Sequence, residues 1–158
     1  MTHFPPEARQ LDSYQSKLKK ISNTFRESDL ATKIDKNQAY SELAVNMQID
    51  PFILQGIFDL LYKNPQGRWE VVDFKSNRIK SSEVANFAKK YEFQIRAYAL
   101  LLAGLYPEQT TYPVSLFFLE PQRIVRREYN LLEIESTRVE ISSLLDKLFR
   151  YEMSIFAR

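Results

Sequence analysis

Val71-Val72-Asp73-Phe74-Lys75-Ser76 follows the turn residues Asn64-Pro65-Gln66-Gly67, and Gly56-Ile57-Phe58-Asp59 precedes them. Both flanks are rich in branched and aromatic residues and read as strands, which the Pro-Gly turn joins into a hairpin. Side chains alternate along a strand, so Asp73 and Lys75 share one face while Val72 and Phe74 point to the other, into the core. The hairpin partner brings Asp59 alongside Asp73. Two carboxylates that close repel unless a cation bridges them, and two carboxylates, a backbone carbonyl and waters suit magnesium or manganese. Such an ion polarises a phosphodiester oxygen and acidifies bound water, while Lys75 orients the attacking water or offsets charge at phosphorus. In Gln94-Ile95-Arg96-Ala97-Tyr98, Gln94 and Tyr98 lie four apart on one face of a following helix, where they can steady a nucleophile or a phosphate. The spacing points to phosphodiester hydrolysis.

Outward from this centre, Tyr40 to Ile49, Phe52 to Tyr62 and Arg68 to Phe74 read as a three-strand meander. Upstream, Pro5 and Pro6 open a helix over 7–22, and Thr24 with Glu27 fits a capping box for a second, short one. Downstream, Ser81 or Ser82 caps a long helix reaching Leu105, with Val84, Phe87, Ala88, Tyr91, Ile95, Tyr98 and Leu102 on one apolar face, and Pro107 ends it. Val114 to Leu119 is an apolar run broken only by Ser115, as suits a strand covered on both faces, and Glu120-Pro121-Gln122 turns it into a polar strand, Arg123 to Tyr129. Asn130 and Glu133 cap a terminal helix over 131–157, whose apolar stripe is Ile134, Ile141, Leu144, Leu145 and Leu148. Strands before and after a crossover helix imply a mixed central sheet flanked by helices, an α/β fold.

The ordered trio of Gly-x-x-Asp strand, Asp-x-Lys strand and Gln-x-x-x-Tyr helix resembles the RecB-like branch of the PD-(D/E)XK nuclease superfamily, the nuclease domain of RecB and AddA helicase-nucleases. The resemblance implies a three-layer, restriction-endonuclease-like αβββαβ core over about 25–130, in a single domain spanning 1–158. It also implies that Asp59 and Asp73 are metal ligands, that Phe74 lends a carbonyl and Lys75 is the catalytic lysine, and that Gln94 and Tyr98 are the helical signature. Glu42 resembles the acidic residue that opens the family's first core strand, though a solvated strand residue would look the same. The implied cofactor is Mg²⁺ or Mn²⁺, the implied partner DNA, and the implied setting a helicase domain or subunit in repair and recombination. Such relatives carry a metal-binding His on an upstream helix, whereas the one His here is His3, beside Pro5 and Pro6. Either the chain is one piece of a longer helicase-nuclease, or its site holds metal with one ligand fewer.

The 158 residues are about one domain's worth, and 44% hydrophobic residues with 11 Phe and 9 Tyr suffice to build its core. The absence of cysteine excludes a disulfide framework, a thiolate metal site and an iron–sulfur cluster, so any metal must be held by oxygens. The chain has no Walker lysine loop, which rules out helicase activity of its own. Neither a membrane span nor a secretory signal pattern is present, which places the protein in the cytoplasm. Net charge is only +2, yet residues 60–100 hold eight basic side chains against four acidic ones. Arg78, Lys80, Lys89 and Arg96 are therefore the expected phosphate-binding residues. Arg123, Arg126 and Arg127 are read equally well as phosphate ligands or as protection of an edge strand.

Three functions fit this pattern: a metal-dependent DNA nuclease, a non-catalytic DNA-binding module of the same fold, and a protein-interaction domain using an apolar stripe of Leu11, Leu18 and Leu148. The bland alternative for Asp59 and Asp73 is a pair of strand-edge carboxylates neutralised by Lys75 or Arg78, and for Tyr98 a core aromatic.

Overall fold

In the computed structural model, residues 22–156 are described, together with Ser16 and Lys19. The helix expected over 7–22, with Leu11 and Leu18, lies almost wholly outside them, and so does His3. Residues 22–26 are helical, followed by α1 (Asp29–Thr32). The strands are β1 (Ala39–Ile49), β2 (Phe52–Lys63), β3 (Trp69–Lys75), β4 (Thr111–Phe118) and β5 (Arg123–Asn130). Between β3 and β4 come α2 (Val84–Ala88) and α3 (Glu92–Leu105), and α4 (Leu131–Phe156) follows β5.

The five strands form one sheet in sequential order, parallel between β3 and β4 and antiparallel elsewhere. This is the expected mixed sheet with flanking helices, consistent with the restriction-endonuclease-like fold. Alternation sorts the strand residues between two apolar layers. Leu61, Val71, Val114, Leu116 and Phe118 pack with Ile95, Ala99 and Leu102 of α3 and Ile134 and Ile141 of α4. On the opposite face Leu60, Tyr62, Val72, Phe117 and Leu119 pack with Phe25, Leu30 and Ile34. Leu116 at 0% and Phe117 at 1% exposure, on opposite faces, show why β4 is largely apolar: each face of that strand lies against an apolar layer.

Three local expectations need correction. The capping box at Thr24 does not form: Thr24 is buried within the helical residues 22–26, and Ser28 caps α1, its hydroxyl accepting from the Ala31 N–H at 3.2 Å. The long helix to Leu105 is broken, with 3₁₀ turns at Ser81–Glu83 and Lys89–Tyr91. Its cap is Lys80, whose N–H donates to the Glu83 carboxylate at 2.9 Å, and neither serine plays that part. At the second break the Tyr91 hydroxyl donates to Asn77 at 3.1 Å, a tertiary contact that helical periodicity does not encode. The stripe on α4 is buried at Ile134 and Ile141, but Leu144 and Leu148 are exposed. The box at Asn130 forms as expected, with the Asn130 N–H on Glu133 at 2.8 Å and the Glu133 N–H on Asn130 Oδ1 at 3.1 Å.

Candidate active site

The β2–β3 ladder ends at the pair Leu60 and Val72, so Asp59 and Asp73 occupy the register position just beyond its last rung. There the strands part, and the Phe74 N–H donates instead to Asp59 Oδ2 at 2.8 Å. The β1–β2 ladder is interrupted at the same level: Ser41 pairs with Leu60 and Leu43 with Phe58, but the intervening Glu42 and Asp59 are unpaired, and Glu42 adopts φ 53°. Alternation reverses across this irregularity. Leu60 and Tyr62 face the smaller apolar cluster, whereas Phe58 and Leu54, of the same parity, join the larger one; on β1, Ala39 belongs to the smaller and Leu43, Val45 and Met47 to the larger. Irregular strand positions of this kind re-aim side chains next to active sites. Here the irregularity places Asp59 at the mouth of the gap between β2 and β3.

Asp73 is 3% exposed. Its Oδ1 accepts from Gln94 Nε2 at 3.0 Å, and its Oδ2 lies 2.6 Å from Lys75 Nζ. That second contact is an ion pair without the alignment of a hydrogen bond, which leaves Asp73 Oδ2 the one buried side-chain polar atom among the described residues with no hydrogen-bond partner. Burial raises the Asp73 carboxyl above its ordinary value; Lys75 pulls the other way, and the charge of Asp59 adds to the rise. Lys75 Nζ also donates to Gln94 Oε1 at 3.0 Å. Gln94 therefore gives its amide N–H to the carboxylate and its amide oxygen to the ammonium, and fixes both.

Tyr98 closes the cluster. Its hydroxyl donates to the Ile57 carbonyl at 2.8 Å and accepts from Gln94 Nε2 at 3.0 Å. Burial raises the phenol's pKa, and the charges of Asp73 and Asp59 add to that, so it stays protonated and serves as a donor. Gly56 explains how the ring fits. A Cβ there would lie 2.6 Å from Leu101 Cδ1 and 3.3 Å from Tyr98 Cε1, so any side chain at this position must displace those two for α3 to stay this close to β2. Gly56→Val is expected to destabilise the fold by about 1–3 kcal/mol through overpacking. Urea denaturation measures this as a lower midpoint, and an unchanged midpoint would show that the contact is slack.

The fold thus gathers Asp59, Asp73, Lys75, Gln94 and Tyr98. It does not gather the rest. Glu42 shares the register level of Asp59 but is exposed, and among the described residues no three or more of His, Cys, Asp and Glu form a group that could hold a metal. Arg78 is exposed and pairs with Glu120 at 3.3 Å, while Lys80 and Lys89 are exposed. Arg96 is taken up by α4, where it binds Thr137 and pairs with Glu140. Arg126 is drawn to the buried Glu70 at 3.1 Å. Tyr91, read as core, does pack against the larger apolar cluster, and its ring also lies 4.1 Å from Lys75 Nζ, a contact that its place three residues before Gln94 and seven before Tyr98 could have signalled.

The side-chain donors here include two carboxylates, and Asp73 Oδ2, buried and held only by its ion pair with Lys75, is the oxygen a hard divalent cation would compete for. The chain belongs to the PD-(D/E)XK nuclease superfamily, whose family profile matches residues 2–155. It is similar to one of the subunits of the ATP-dependent helicase/nuclease of Clostridium perfringens (strain 13 / Type A), with 31% identity over 123 residues. That alignment takes in 72% of this chain and 9% of the relative, so the chain spans a small part of that protein's length. A more distant likeness, at 16% identity and a TM-score of 0.38, is to the solved structure described as "Crystal structure of SSO0001", covering 89% of this chain and 61% of the other.

Proposed function

We propose that this domain is a metal-dependent deoxyribonuclease, the exonuclease module of a RecB/AddA-like helicase-nuclease acting in cytoplasmic DNA repair and recombination. The observation that carries the proposal is the joint placement of Asp59, Asp73 and Lys75 where β2 and β3 part. The helicase partner lies either in the same longer chain or in a separate one. Among the described residues no helix is long and apolar enough to cross a membrane.

Asp59, Asp73 and the Phe74 carbonyl are the groups that would hold Mg²⁺ or Mn²⁺. Once bound, the ion supplies Lewis acidity toward a phosphodiester oxygen and a more acidic water. The protein's own groups do the rest. Lys75 presents a fixed positive charge to the phosphate and holds a water for attack. Gln94 keeps the Asp73 carboxylate and the Lys75 ammonium in register with one another, because its two amide atoms touch both. Tyr98, anchored on the Ile57 carbonyl, holds Gln94 in place.

The test is digestion of labelled linear duplex and single-stranded DNA in Mn²⁺ and in excess chelator. Cutting in Mn²⁺ alone supports the proposal. The presence of only two carboxylates in the cluster favours a second reading, a DNA-binding module without catalysis, and binding without cutting would establish that one.

DNA binding is expected to be sequence-independent and to fall steeply with salt. If Lys80 and Lys89 each neutralise one phosphate and Arg78 exchanges the exposed Glu120 for a third, log affinity should drop with log salt at a slope of about −3. Arg96, already neutralised by Glu140, adds least. Fluorescence anisotropy across ionic strengths measures the slope, and a flat line would favour the protein-interaction reading.

A further inference from the structure

The break in the helix that leads to α3 serves the site. Lys75 Nζ lies 4.1 Å from the centre of the Tyr91 ring. Among the described residues three groups meet this ammonium: Asp73 Oδ2 at 2.6 Å, Gln94 Oε1 at 3.0 Å and the face of Tyr91. An ammonium has three N–H donors, and Gln94 takes one of them in an aligned hydrogen bond, which leaves a donor for a water. The ring is itself gripped at its far end, where its hydroxyl donates to Asn77 at 3.1 Å. Asn77 stands two residues beyond Lys75 on the segment leaving β3. One stretch of chain therefore supplies both the cation over the ring and the anchor of its hydroxyl. The ring leans on Phe87 and Phe118, with centroids 6.0 and 6.4 Å away, which leaves it little freedom to tilt.

We infer that Tyr91 is a positioning residue, an aromatic platform that holds the Lys75 ammonium in the cleft independently of Asp73. The inference rests on the proposed role of Lys75 and deepens it. Two demands meet at Asp73 Oδ2: it forms the ion pair with Lys75, and it is the carboxylate oxygen left without an aligned hydrogen bond. A lysine fixed by that oxygen alone would drift whenever the carboxylate turned to a cation. The quadrupole of an aromatic ring holds a cation without consuming a lone pair, and it does so more strongly where water is excluded. The Lys75 side chain is 13% exposed, which puts it in that stronger regime.

The experiment compares wild type with Tyr91→Phe and Tyr91→Leu. In metal-free protein, the Lys75 ε-methylene proton resonance, assigned by its loss in Lys75→Ala, should lie upfield of the other lysines because it sits over a ring. The shift should persist in Tyr91→Phe and vanish in Tyr91→Leu. In Mn²⁺ with labelled linear DNA, Tyr91→Leu should lose roughly 3- to 30-fold in kcat, the worth of a desolvated cation–ring contact, with KM and Mn²⁺ affinity unchanged. Tyr91→Phe should stay near wild type, a rescue that distinguishes the ring's face from its hydroxyl. An ordinary Lys75 resonance in the wild type, or full kcat in Tyr91→Leu, would overturn the inference. If Tyr91→Leu does not fold, the wild-type and Tyr91→Phe resonances still decide. Should the wild type cut no DNA, the nuclease proposal fails, and the Lys75 resonance then reports separately on whether the ring holds the ammonium.

Discussion

Lys75→Ala is expected to cut DNA about two to four orders of magnitude more slowly than wild type, the loss found when one preorganised catalytic group is removed. Mn²⁺ and DNA binding should survive nearly intact. The ammonium is a partner of Asp73 and Gln94 and not a metal ligand, so its removal frees Asp73 Oδ2 and does not take a donor from the cation. In the metal-free protein the same change leaves a carboxylate of 3% exposure without its counter-ion. Some stability is therefore lost there and regained when Mn²⁺ is added. The comparison should be made at equal bound fraction on labelled linear and single-stranded DNA. Equal cutting by both proteins would remove Lys75 from the chemistry.

Alanine at Asp59 or Asp73 should abolish Mn²⁺ binding, because each supplies a charged oxygen that no neighbour replaces among the described residues. The two positions differ in what else they hold. Asp59 also accepts the Phe74 N–H at 2.8 Å, so Asp59→Ala orphans a strand-end donor and costs about 1–3 kcal/mol. Asp59→Asn keeps an acceptor there while deleting the charge, and it separates loss of the ligand from loss of the strand geometry. At Asp73 the charge also balances Lys75, so Asp73→Asn should retain the Gln94 contact yet bind no metal. Calorimetry reads the affinity directly. Unchanged Mn²⁺ affinity in both alanine variants would refute the assignment.

Much of this was legible in the sequence, for physical reasons. The strand pattern around Asn64-Pro65-Gln66-Gly67 located β2 and β3, because burial enforces alternation and the turn leaves few registers. Pairing of Lys63 with Trp69 and of Leu60 with Val72 then carries Asp59 to Asp73 without further assumption. The largely apolar run of β4 was equally informative, since a strand covered on both faces is buried from Tyr112 to Phe118. What could not be read depends on tertiary contacts. The helix before Leu105 has unbroken apolar periodicity, and only the bond from Tyr91 to Asn77 and the ring under Lys75 mark the 3₁₀ turn as a working part of the site. Gly56 stood in the sequence as one letter of a motif, and the reason for it became visible only with Leu101 and Tyr98 against the strand. Arg96 looked like one of several phosphate ligands until Glu140, far along the chain, was placed beside it. Charge counted along a sequence does not reveal which cations are already paired.

Diffraction from crystals soaked in Mn²⁺ tests the central assignment most directly, because the anomalous signal locates the ion without reference to activity. The expected result is a peak within bonding distance of carboxylate oxygens of both Asp59 and Asp73, beside the Phe74 carbonyl, with Lys75 still over the Tyr91 ring. A fully loaded crystal whose Mn²⁺ binds elsewhere, with Asp73 still paired to Lys75 as before, would contradict it.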